Sequence, residues 1–117
     1  MKRKIFTLNG SKPMHMSDIF REVVSDYANK HPFLDAHQIR DIFVVVCRDV
    51  KIEHIVETAA EYNARSYQKS WERSADEITI PNGEKLYVST QWRAGGARDN
   101  FLKFKDIVGK MGWGKIV

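Results

Sequence analysis

Cysteine is nearly absent. The chain of 117 residues holds a single one, Cys47, so no disulfide can form within it. A lone thiol inside the apolar run "IFVVVC" suits a reducing compartment. No run approaches the roughly 18 apolar residues that span a bilayer, so no membrane segment is expected. "MKRK" is basic but has no apolar stretch behind it and does not read as a secretory signal. A cytoplasmic protein is the expectation. Metal-ligand spacings are also missing. His15, His31, His37 and His54 fall outside patterns such as HExxH or CxxC, so no metal and no cofactor is expected. "RAGGAR" lacks the Lys-Ser/Thr ending of a nucleotide-binding P-loop. No repeat and no low-complexity segment occurs. No catalytic set assembles from the residues present: His37 and Asp41, one helical turn apart, read as a surface pair. The expectation leans away from an enzyme, with no catalytic residue assigned.

What the sequence does contain is enough for one domain over residues 1–117. Hydrophobic residues make up 43% and charged residues 29%, a balance typical of folded soluble chains. The net charge of +4 is unevenly placed. Met1 to Tyr62 carries nine basic and nine acidic residues; Asn63 to Val117 carries ten and six. The whole excess lies in the second half, which points to an anionic partner for that half.

Periodicity supplies the elements. "KRKIFTLNG" opens with a short strand ending at the turn pair Asn9-Gly10. A helix capped by Ser17 or Asp18 and running to Lys30 has Ile19, Phe20, Val23, Val24, Tyr27 and Ala28 at helical spacing. His31-Pro32 stops it. Asp35 and Gln38 form a capping box for a second helix to Arg48, although Phe43 to Val46 is β-branched enough for a strand. A third helix is expected from Lys51 to about Arg73, with Ile52, Ile55, Val56, Ala59 and Tyr62 as its apolar stripe. Next comes a hairpin turning at Asn82-Gly83 in a type I′ turn. Its return strand puts Leu86, Val88, Thr90 and Trp92 on one face and Lys85, Tyr87, Ser89 and Gln91 on the other. A last helix starts at Asp99 or Asn100, turns Phe101, Phe104, Val108 and Met111 inward, and ends at Gly112. "WGKIV" closes as a short edge strand. Cys47 is expected in one core with Ile55, Val56, Ala59, Val88, Phe101, Phe104 and Val108.

The fold class expected is α+β: a three-helix core, a β-hairpin, a C-terminal helix and short terminal strands. Three helices followed by a hairpin resembles the order of a winged-helix module over roughly Lys2 to Trp92, in element order only and without a family motif. That order implies a DNA-binding role, so the chemistry of the third helix matters.

Two constellations follow on that helix. Glu53, Glu57 and Glu61 recur at i, i+4, i+8 and form an acidic stripe that would repel phosphate; its readings are a solvated face or a patch for a basic protein partner. Further on, Arg65, Lys69 and Arg73 repeat at the same spacing beside Tyr67 and Trp71. Basic residues neutralise phosphates and aromatic faces stack on unpaired bases, though the two rings serve equally as packing. Arg93 and Arg98 flank the start of the last helix, where Asp99 or a phosphate would sit between them. The function expected is a small cytoplasmic nucleic-acid-binding or regulatory protein, contacting DNA or RNA through Arg65, Lys69, Arg73, Arg93, Arg98, Tyr67 and Trp71. The alternative is a protein-interaction module of the inhibitor or adaptor kind, binding through Glu53, Glu57 and Glu61 and touching no nucleic acid.

Overall fold

Among the described residues, two Asn-Gly pairs turn the chain between paired strands, and they do so differently. The computed structural model describes residues 5–64, 75–94 and 99–117. Strand β1 (Ile5–Phe6) pairs antiparallel with β2 (Met14–His15). Between them Asn9 and Gly10 have φ of +52° and +77°, and the Ser11 N–H donates to the Leu8 carbonyl at 2.9 Å. Positive φ at both central residues is the signature of a type I′ turn. The expected I′ turn at Asn82-Gly83 is not formed. Only Gly83 has positive φ there, at +90°. Its N–H donates to the Ile80 carbonyl at 2.9 Å, and the Ile80 N–H donates to the Glu84 carbonyl at 3.0 Å. Pro81 is the physical reason. A two-residue loop would make Pro81 the closing position, where it has no N–H to give. Closure therefore moves back to Ile80, and the loop becomes a turn with Pro81 at its first corner and Gly83 as a bulge. We expect Gly83→Ala to cost about 1 kcal/mol, because alanine resists this φ although nothing crowds its Cβ. A melting temperature equal to that of the parent would contradict this.

Helix α1 (Met16–Lys30) starts at His15 and not at Ser17 or Asp18, and no side chain caps it. Asp18 lies within its first turn and pairs with Arg21 at 3.1 Å, so its acidity serves the helix dipole and an i,i+3 contact. The capping box of α2 (Ala36–Val46) is present in both halves: Asp35 accepts from the Gln38 N–H, and Gln38 accepts from the Asp35 N–H. The helix ends at Cys47 and passes into a 3-10 turn, Arg48–Val50.

The third helix is the main correction. Lys51 and His54 adopt left-handed φ of +59° and +58°, which breaks any helix there. Val56–Thr58 then forms strand β3, and a short helix α3 occupies Ala59–Ala64. The spacing of Ile52, Ile55 and Val56 fits a helix, but of the three only Val56 enters a regular element, the strand β3 with Glu57 and Thr58. Thr58 starts α3 through a second capping box: its hydroxyl accepts from the Glu61 N–H at 3.3 Å, while Glu61 accepts from the Thr58 N–H at 3.1 Å. The continuation expected from Arg65 to Arg73 lies outside the described residues. The single helix expected from Lys51 is thus interrupted, with β3 and the start of α3 in its place, and the winged-helix order is not confirmed. The α+β class stands.

Strands β4 (Ala75–Thr79) and β5 (Lys85–Ser89) complete a three-stranded antiparallel sheet in the order β3-β5-β4. Register places Val56 beside Val88 and Ile78 beside Leu86 on the inner face, and Glu57, Tyr87 and Glu77 in one row on the outer face. Helix α4 (Phe101–Met111) buries Phe101, Phe104 and Val108 as expected, whereas Met111 is exposed. Gly112 is left-handed, and the Trp113 N–H returns to the Val108 carbonyl at 3.0 Å, which closes the helix as a Schellman motif. The last residues run back along the first: Leu8 bridges Ile116, and Thr7 exchanges backbone hydrogen bonds with Val117 at 2.9 and 3.0 Å. One core joins the helices to the inner sheet face. It includes Cys47, Ile55, Val56, Val88, Phe101, Phe104 and Val108. Ala59 is only partly buried, because its helix lies beyond the end of β3.

Candidate functional site

Most of the expected basic site cannot be placed. Arg65, Tyr67, Lys69, Trp71, Arg73 and Arg98 lie outside the described residues. Arg93 is described and its side chain is exposed. Its backbone has a definite task. The Arg93 N–H donates to Asn100 Oδ1 at 2.8 Å, and its carbonyl accepts from the N–H groups of Asn100 and Phe101 at 3.0 Å each. Asp99 Oδ1 accepts from the Leu102 N–H at 2.9 Å. The first free N–H groups of α4 are thus met by protein acceptors. The carboxylate expected between the two arginines therefore caps the helix, and the helix start does not need a phosphate.

The acidic stripe is taken apart by the fold. Glu53 stands in a turn, Glu57 on β3 and Glu61 on α3. Only Glu53 is well exposed, with 89% of its side chain accessible against 5% for Glu57. The error follows from the missed strand: residues four apart share a helical face, but a strand and a turn do not preserve that face. Glu57 and Glu61 instead line a cleft of about 310 Å³ between α2 and β3, together with Arg40, Cys47, Arg48 and His54. His54 sits between two carboxylates, 3.6 Å from Glu53 and 3.5 Å from Glu57. Arg40 Nε donates to Glu61 at 3.0 Å and so ties α2 to α3. Burial alone would raise the Glu61 pKa. The Thr58 N–H and the Arg40 guanidinium outweigh it and hold the carboxyl below its usual range. Glu61 is thereby committed to the fold. His37 and Asp41 are 3.3 Å apart, and Arg40 also pairs with Asp41, as a surface network would. Burial pushes the Cys47 thiol up to about 12, far from the thiolate that nucleophilic chemistry requires. Among the described residues, no group of three or more His, Cys, Asp or Glu is arranged to hold a metal ion.

A different surface among the described residues is cationic. Helix α4 and the last residues of the chain flank an open groove of about 520 Å³ lined by Lys105, Lys110 and Lys115, with Asp106 the one carboxylate among its described lining residues. Asp106 pairs with Lys110 at 2.9 Å and raises its pKa through that hydrogen bond. Lys103, Lys105 and Lys115 are in no ion pair among the described residues. Sequence patterning missed this groove because its two walls are joined only by the Schellman turn and the pairing of the chain ends. The countable signal was the run of lysines at 103, 105, 110 and 115 with few acids between them.

Compared with protein-family models, curated proteins and solved structures, the chain matches none. Among the described residues, no helix is long and apolar enough to cross a membrane.

Proposed function

We propose that this is a small nucleic-acid-binding or regulatory protein that contacts the phosphates of DNA or RNA through the basic surface of its C-terminal half. One observation supports the reading above the rest: Lys105 and Lys115 line one groove with no ion pair among the described residues, while Lys110 shares Asp106. Uncompensated cations on one surface repel each other, and an anionic polymer relieves that repulsion while releasing its own counterions. Arg93 is a further exposed cation, at the entrance to α4. Arg65, Lys69, Arg73 and Arg98, with Tyr67 and Trp71 as stacking rings, are the further contacts the sequence suggests. A cytoplasmic setting accords with the single buried thiol. The alternative protein-interaction reading is weakened, since Glu57 is buried and Glu61 is held by Arg40 and Thr58.

Fluorescence anisotropy with labelled single- and double-stranded oligonucleotides tests this. We expect affinity to fall steeply with salt, and Arg93→Ala/Arg98→Ala to lower the slope of log affinity against log salt by up to about 2. An unchanged slope would remove the loop from the surface. Absence of binding at low salt to both kinds of strand would overturn the function.

A further inference from the structure

Gly109 is a glycine that the fold does not need. It lies inside α4, without the positive φ of the other described glycines, and a Cβ built on it meets nothing within 4 Å. Gly114 across the groove is the contrast: its φ is +143°, and a Cβ there would come within 3.0 Å of the Asn9 side chain. Glycine in a helix interior costs about 0.5–1 kcal/mol relative to alanine, so a helical glycine that packing does not require points outward, to what approaches it. Gly109 lines the lysine groove. Lys105 lies four residues before it and Lys110 directly after it, while Lys115 faces them from the last residues of the chain. The dipole at the C-terminal end of a helix favours lysines and disfavours anions, so a phosphate bound there is held by the lysine side chains against the dipole.

The rings nearest in sequence do not serve this groove. Phe101 and Phe104 are wholly buried, Trp92 is nearly so, and Trp113 packs against Tyr27 and Phe43. Among the described residues, no aromatic side chain lines the groove, so they offer cations and a bare helix wall but no platform for stacking bases.

We propose that this groove seats a stretch of nucleic-acid backbone, with Lys105, Lys110 and Lys115 on its phosphates and Gly109 leaving room for the chain to lie against α4. The inference rests on the nucleic-acid reading above and gives that reading its seat and its mode: a grip on phosphates without base readout.

The test uses the full-length protein, oligo-dT and oligo-dA of equal length, a mixed-sequence duplex and vesicles containing phosphatidylserine. Gly109→Leu improves helix propensity and places an isobutyl group in the groove. The expected result is an equal or higher melting temperature with oligonucleotide affinity at least about tenfold weaker, a difference of roughly 1.4 kcal/mol. Lys105→Gln/Lys115→Gln is expected to lower the salt slope by up to about 2, and the wild type should bind oligo-dT and oligo-dA within about threefold of each other. Wild-type binding to oligonucleotides with neither variant altered would overturn the groove while leaving the function reading intact. So would a large preference for one base. Binding to the vesicles with none to oligonucleotides would overturn both.

Discussion

Phe20→Ala is expected to remove about 3–5 kcal/mol of stability, a large share of what a domain of this size has. Phe20 is fully buried on α1 and touches a ring from three other parts of the chain. Its centroid lies 4.7 Å from Trp92, 5.0 Å from Phe104 and 6.1 Å from Phe43. Truncation would leave a void bounded by α2, α4 and the segment after β5 that carries Trp92, and rigid rings cannot collapse into it. Trp92 is further fixed by its Nε1–H bond to the Ser89 carbonyl at 3.0 Å. The urea midpoint should fall by roughly 2 M with little change in slope. Phe33→Ala is the matching control: that ring is 99% exposed, and its removal should stay within about 0.5 kcal/mol. A Phe20→Ala loss below about 1 kcal/mol would mean that the rings do not form the shared core described above.

The elements that could be read from sequence were those whose signals are local. The Asp35/Gln38 capping box, the apolar spacing of α1 and α4, the left-handed Gly112 and the strands around Pro81 to Glu84 each depend on residues within a few positions of one another. The third element failed because its apolar spacing suits a helix. Ile52, Ile55 and Val56 fit a helical stripe, but of the three only Val56 enters a regular element, a strand that closes against Val88, thirty-two residues further on. A local signal for the right answer was present: Thr58 followed by Glu61 at N3 is as good a capping box as Asp35 with Gln38, and it places a helix start at Ala59. That single misplacement also created the acidic stripe, since Glu53, Glu57 and Glu61 align only if a helix runs through all three. The lysine groove is illegible for another reason. It exists because Thr7 pairs with Val117, a contact between chain ends that no window of neighbouring residues encodes.

Alkaline unfolding should report Cys47. Its thiol is 2% exposed at the end of α2, with its N–H bonded to the Phe43 carbonyl at 2.9 Å, and burial raises its pKa from 9.0 to about 12. Burial disfavours the thiolate, so the folded protein keeps its proton where the unfolded chain loses it. The folded pKa is the higher one; the stabilisation is therefore complete below pH 9 and is lost as pH rises toward 12. Three units correspond to about 4 kcal/mol at the limit and about 2–3 kcal/mol by pH 11. Tyrosines and lysines titrate over the same range, so the measurement is a difference. Cys47→Ala carries a fixed cavity cost at every pH but no thiol to ionise. Between pH 9 and 11 the wild type should lose about 2–3 kcal/mol of unfolding free energy relative to this variant. A flat difference would mean that water reaches the sulfur through the α2–β3 cleft, which Cys47 lines. The cleft would then hold a titratable thiol beside His54 and Glu57, and the case against chemistry there would have to be reopened. A falling difference leaves the thiol as packing, and leaves the lysines of α4 and the last residues of the chain as the surface on which function is to be sought.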